Sequence, residues 1–337
     1  MSMDSDIPLL LSLAFIIGGF VLLAKSADMF VGAASALARR FGLSPLLVGM
    51  VIIGFGTSAP ELAVSVMSGC SGHSNLSLGN AYGSCIFNIA AILGIAAVIR
   101  PMRVKPTVNW VAVPLLTAVT AISWFIVSDG VFERANGVTL LIAFAIFFPI
   151  YCWYDQHGMK SSAPASQLAP PPAGSGLRDA VLLVVGLVLL VLSSHILVWG
   201  CVDFARDVLH VSDLLIGLTV VAVGTSLPEL ASAVASARRG ESEFVLGNIV
   251  GSNFFNTLAV VGLAGTISPF GDFSRYVTHR DLPVMLLFSV SIAAFGLNYR
   301  HPREEGVISR TAGVIWLVAF GIYLAVMLLQ ETSGAGI

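Results

Sequence analysis

Charge is scarce in this sequence. Lys, Arg, Asp and Glu make up 11% of its 337 residues, less than half of the roughly 25% typical of a soluble domain. With 56% hydrophobic residues and a mean hydropathy of +0.91, an ordinary soluble protein is excluded and an integral membrane protein is implied. A net charge of -2 gives no basic surface for nucleic acid. Cysteine is sparse too: Cys70, Cys85, Cys152 and Cys201 show no CxxC spacing and lie in or beside apolar segments. That argues against a disulfide framework or a zinc site. No cleavable signal peptide is legible, and the first apolar run, from Ile7, reads as a permanent span.

What is present is a series of long apolar runs. A bilayer span needs roughly 20 apolar residues. Ten candidates follow: 7–38, 44–70, 74–98, 107–128, 135–154, 179–208, 213–238, 242–266, 281–299 and 310–330. The first and sixth are long enough to be tilted or to run past the membrane. With the N-terminus on one side, that side holds Arg134, Arg206, Arg275 and Arg280. The other holds Arg39, Arg40, Arg100, Arg103, Lys105, Lys160, Arg178, Arg238, Arg239, Arg300, Arg303 and Arg310. The excess marks the second side as cytoplasmic and places both termini outside. Residues 155–178, rich in Pro, Ser and Ala, read as a flexible cytoplasmic linker between a first unit, 1–154, and a second, 179–337.

The two units carry a repeat. At an offset of 168, positions 44–101 align with 212–269 without a gap, and 27 of the 58 positions are identical. Glu61 meets Glu229, Pro60 meets Pro228, Ser84 meets Ser252 and Asn88 meets Asn256. The offset spans five predicted helices, an odd number, so the halves cross the membrane in opposite senses. The expected fold is an all-α integral membrane protein of ten helices arranged as two inverted five-helix repeats. That is a common plan of secondary transporters, with the substrate near the midplane at broken helices.

The repeated stretches "GTSAPELA" and "GTSLPELA" place an acid and a helix breaker inside an apolar run. Thr57, Ser58 and Glu61 can cluster on one helix face, and Pro60 has no N–H to offer the Gly56 carbonyl. In a membrane that carbonyl needs another partner. Ser84 and Asn88, four residues apart, share a face of the next helix. Thr225, Ser226, Glu229, Ser252 and Asn256 repeat the set. Carboxylates, hydroxyls, amide oxygens and carbonyls are hard ligands, suited to Ca²⁺ and similar cations. Intramembrane acids mark functional sites by default. Ser65, Ser68, Ser232 and Ser236 read instead as helix–helix contacts, Lys25 and Asp28 as a local ion pair, and His195 as no metal ligand.

At these residues the sequence resembles the sodium/calcium exchangers of the cation/calcium antiporter superfamily, in their prokaryotic branch. "GTSAPELAVS…LGNAYGSCIFN" and "GTSLPELASA…LGNIVGSNFFN" are similar to the two alpha repeats of that family. The resemblance implies electrogenic exchange of three Na⁺ for one Ca²⁺ by alternating access. It implies that Glu61 and Glu229 bind both ions, with Thr57, Ser58, Ser84, Asn88, Thr225, Ser226, Ser252 and Asn256 as further ligands. It also implies that the first and sixth helices slide against the rest. The proton/calcium branch carries an acid where Gly83 stands, and potassium-dependent relatives carry Asp where Asn88 or Asn256 stands.

The expectation is therefore a Na⁺/Ca²⁺ antiporter of the inner or plasma membrane that exports Ca²⁺. It is expected not to be an enzyme, to need no cofactor and to act as a monomer among membrane lipids. A H⁺/Ca²⁺ antiporter is the first alternative, a cation channel the second, and a scaffold or sensor without transport the third.

Overall fold

The longest element is α1, Met3–Phe41. Its 39 residues span about 58 Å at ~1.5 Å per residue, well beyond a bilayer core of about 30 Å. It is one of twelve helices in the computed structural model, which describes residues 3–162, 175–204, 222–269 and 273–332. The others are α2 (Pro45–Thr57), α3 (Ala59–Cys70), α4 (Leu76–Ile99), α5 (Val108–Val127) and α6 (Arg134–Ser162). In the second half come α7 (Gly176–Asp203), α8 (Ala222–Thr225), α9 (Leu227–Arg239), α10 (Ser242–Ile267), α11 (Val277–Gly296) and α12 (Arg310–Thr332).

Among the described residues, eight helices are long and apolar enough to cross a membrane, and the pair α2–α3, bent by 44°, adds a ninth span. The expected span 213–238 begins outside the described residues, so the count of ten is not reached here. Its described part, α8 and α9, breaks at Ser226 where α2 and α3 break at Ser58. Both ends of the range expected as a linker, 155–178, fall within helices. Residues up to Ser162 continue α6 and Gly176 starts α7, while 163–174 lie outside the described residues. Among the described residues the all-α expectation holds except for one antiparallel pair of short strands, β1 (Met102–Val104) with β2 (Gly306–Ile308). Three-residue strands leave too little alternation to be read from sequence.

Of the eight candidate spans among the described residues, α10 is the most buried, followed by α4. These two carry the repeated "LGN" segments. Helix α2 lies against α10 backbone to backbone: a Cβ on Gly49 would fall 2.9 Å from the Phe244 carbonyl oxygen, and one on Gly54 3.0 Å from the Ser252 nitrogen. Only glycine permits that approach. Outside this core, α1 and α7 run antiparallel. Gly19 meets Leu197, Gly186 meets Phe30, and Gly200 meets Phe15. Ser12 bonds Asp203 at one end, and Arg40 pairs with Asp179 at 3.1 Å at the other. Leu10, Ile17, Phe20, Val184 and Val188 face outward, as lipid contact requires.

Arg39, Arg103 and Lys105, three of the basic residues assigned to one side, line one surface pocket with Glu241 and Glu243. Lys105 pairs with Glu243 at 2.8 Å. Arg39 donates to Ser35, which donates to Glu241. The β1–β2 pair brings 102–104 beside 306–308. The expected Lys25–Asp28 pair does not form. Arg239 instead donates to the Asp28 carbonyl at 2.8 Å, because α9 packs across α1 and brings its terminal Arg to that point.

Candidate cation-binding site

Both carboxylates sit where a helix restarts. Helix α2 ends at Thr57, Ser58 leaves helical geometry at φ -81°, ψ 5°, and Glu61 lies in the first turn of α3. Ser226, at φ -91°, ψ 10°, and Glu229 in the first turn of α9 repeat this. Pro60 and Pro228 sit near the start of their new helices, where a missing N–H costs nothing. The N-terminal end of a helix dipole favours an anion there.

The two halves are crossed. Ser226 Oγ donates to Glu61 Oε1 at 2.8 Å, and Ser58 Oγ donates to Glu229 Oε1 at 3.0 Å. Ser84 Oγ lies 3.1 Å from Ser226 Oγ. Each acid is thus held by the serine that breaks the other repeat's helix. Residues 168 apart thereby make matching bonds, which places a pseudo-two-fold axis through the site.

A second pair of bonds fixes the restarted helices. Asn80 Nδ2 donates to the Glu61 carbonyl at 3.0 Å and to Ser65 Oγ at 2.8 Å. Asn248 Nδ2 donates to the Glu229 carbonyl at 3.3 Å. Thr225 Oγ1 donates to Asn80 Oδ1, and Thr57 Oγ1 lies 3.4 Å from Asn248 Oδ1 while bonding the Ile53 carbonyl at 2.9 Å. Sequence reasoning missed Asn80 and Asn248 as individual residues. Their identity at the fixed offset was the signal. Ser252 Oγ bonds the Gly54 carbonyl at 3.3 Å, and Asn88 Nδ2 bonds Asn253 Oδ1 at 3.0 Å. Of the serines assigned to packing, Ser65 exchanges bonds with Ser77 between α3 and α4. Ser232 Oγ has no partner among the described residues. His195 lies exposed on α7, 3.1 Å from its own helix's Val191 carbonyl.

Four oxygens of the candidate ligands are then left over. Glu61 Oε2, Glu229 Oε2, Asn88 Oδ1 and Asn256 Oδ1 are buried and have no hydrogen-bond partner among the described residues. All four residues are 0% exposed. Among the described residues neither acid pairs with Lys or Arg. Unpartnered buried polar atoms are expensive, and unpaired buried charges more so. A dehydrated hard cation is the partner that such a set of oxygens suits.

Residues 11–153 and 179–329 match the family of sodium/calcium exchanger proteins. This chain belongs to that family. The exchanger resembles inner membrane protein YrbG of Escherichia coli, at 36% identity over 95% of this chain and 97% of YrbG. It is 28% identical to the sodium/calcium exchanger MaX1 of Methanosarcina acetivorans, over 89% of this chain and 95% of MaX1. Its fold matches the sodium-calcium exchanger NCX_Mj soaked with 10 mM Na⁺ and 10 mM Sr²⁺, with a TM-score of 0.79 at 29% identity. That match covers 94% of this chain and 98% of NCX_Mj. The exchanger is therefore a multi-pass membrane protein of the all-α class.

Proposed function

We propose that the protein is a secondary antiporter that exchanges Na⁺ for Ca²⁺ by alternating access. The observation that carries this is the crossed pair of acids, each with one oxygen held by the other repeat's serine and one left without a partner. Glu61 and Glu229 bind the transported cation. Thr57, Ser58, Ser84, Asn88, Thr225, Ser226, Ser252 and Asn256 complete the oxygen set by side chain or freed carbonyl. The similarity to exchangers that are named for Na⁺ and Ca²⁺ supports that ion pair. Gly83, where the proton branch carries an acid, supports Na⁺ over H⁺ as the counter-ion.

Two ionised acids balance one Ca²⁺, while three Na⁺ leave an excess charge that hydroxyls and carbonyls spread. On this reading exchange is electrogenic and the inward Na⁺ gradient drives Ca²⁺ out. Both termini face outside, and the residue 155–178 connection is cytoplasmic in an inner or plasma membrane. The work is transport rather than enzymatic chemistry.

Radiolabelled Ca²⁺ uptake into Na⁺-loaded proteoliposomes tests this. Uptake should appear on dilution into Na⁺-free buffer and vanish without internal Na⁺. Uptake that ignores Na⁺ but follows an imposed pH gradient would assign the protein to proton exchange instead.

A further inference from the structure

Two residues that the repeat relates to one another also touch, which puts them on the pseudo-two-fold axis. They are Cys85 and Asn253, 168 positions apart. Asn253 Nδ2 donates to the Cys85 carbonyl at 3.2 Å, and Cys85 Sγ lies 3.8 Å from the Asn253 carbonyl oxygen. The axis would ask for the same side chain on both. It meets an amide on one side and a thiol on the other.

The asymmetry is passed to the two candidate ligands one turn further on. Asn88 Nδ2 donates to Asn253 Oδ1 at 3.0 Å. The symmetric bond would run from Asn256 to the side chain at position 85. A thiol sulfur is a weak acceptor, and neither amide atom of Asn256 has a partner among the described residues. All three asparagines are 0% exposed.

The Asn88 amide has only one tenable orientation. Turning it over would set its oxygen against Asn253 Oδ1, acceptor to acceptor. Its unpartnered Oδ1 is therefore held away from Asn253. Among the described residues, no hydrogen bond makes the same choice for Asn256.

We propose that Asn253, reaching across the axis, is a positioning residue that fixes Asn88 as an oxygen donor to the transported cation, while Cys85 leaves Asn256 unrestrained. This rests on the site being the cation site proposed above. One half of the site is then prepared before an ion arrives, and the other half is oriented by the ion. Preparation of a ligand strengthens binding by reducing what must be ordered.

The test is the Ca²⁺ dependence of Na⁺-driven uptake in proteoliposomes for the wild type, Asn253→Ala, Asn88→Ala and the double variant. Asn253→Ala should raise the half-saturating Ca²⁺ concentration about tenfold, the value of one buried hydrogen bond, and leave the maximal rate within about twofold. In the Asn88→Ala background it should add nothing, since the two act as one unit. An unchanged half-saturation, or the same factor in both backgrounds, would overturn the proposal. Should Asn253→Ala fail to fold by thermal melting, Cys85→Asn decides. It offers Asn256 the missing acceptor and should lower the half-saturating concentration. No decrease with wild-type melting would overturn the proposal. A wild type without Na⁺-driven uptake would overturn the exchanger reading itself, an outcome distinct from any of these.

Discussion

Replacing Glu61 with Gln removes one charge and little else. Gln keeps an oxygen to accept the Ser226 hydroxyl, which bonds Glu61 Oε1 at 2.8 Å. The residue is 0% exposed, so bulk water does not screen what is lost. At an effective dielectric of about 20 and a separation of about 3 Å, one carboxylate attracts a divalent cation by about 11 kcal/mol and a monovalent one by half that. Dehydration of the ion and acid offsets most of this, and removing one member of a buried charge pair typically costs about 3–5 kcal/mol net. The lower figure corresponds to more than about 100-fold in Ca²⁺ affinity, and half of it to roughly tenfold in Na⁺ affinity. Glu229→Gln should behave alike, because Ser58 holds Glu229 as Ser226 holds Glu61. The assay is the dependence of exchange on each ion, with melting as a control for folding. Equal loss for both ions would refute the charge argument, and an effect confined to one of the two acids would refute the crossed site.

Three further outcomes follow from the packing around the site. Asn80→Ala strips the Glu61 carbonyl and Ser65 of a donor. It should cost about 1 kcal/mol and slow transport about fivefold, with Asn248→Ala similar, read by initial uptake rates. Gly186→Ala would set a Cβ 2.9 Å from the Phe30 backbone. That overpacking should lower stability by about 1–3 kcal/mol, seen as a fall in melting temperature. If α1 and α7 move as one body, a disulfide between cysteines at 19 and 197, where a Cβ on Gly19 would lie 3.0 Å from Leu197 Cβ, should spare transport. Joining cysteines at 28 and 239 with a bifunctional thiol reagent about as long as the Arg239 side chain that now bridges them, which ties α1 to α9, should stop it.

The candidate site was legible in the sequence wherever the repeat wrote it twice. Glu61, Ser58 and Ser84 could be paired with Glu229, Ser226 and Ser252 before any coordinates, since a fixed offset singles out residues that local pattern does not. Asn80 and Asn248 carried the same mark, but spacing along one helix says nothing of a bond to the next helix's carbonyl. Asn253 carried no mark at all: its counterpart is Cys85, and the asymmetry matters only because the axis brings the two together. The lengths of α1 and α7 followed from their apolar runs, and their contact did not, because antiparallel packing through Gly19, Gly186 and Gly200 is a tertiary fact. The Lys25–Asp28 pair failed for a similar reason. Neighbours three apart on an exposed helix face lost to an Arg from another helix. The widened helical turns at Asn88–Leu93 and Phe255–Val260 left no trace in hydropathy, yet they begin at or beside the two candidate asparagine ligands. Such turns often occur at functional sites.

The central claim is that two acids from two repeats make one cation site. Counting bound Ca²⁺ per chain by equilibrium binding to the purified protein tests it most directly, with Glu61→Gln and Glu229→Gln beside the wild type. The crossed site predicts that either substitution alone removes nearly all of the high-affinity binding, and that Na⁺ competes for the same ion in the wild type. Half of the binding surviving in each single variant would mean two separate sites, and would contradict the account.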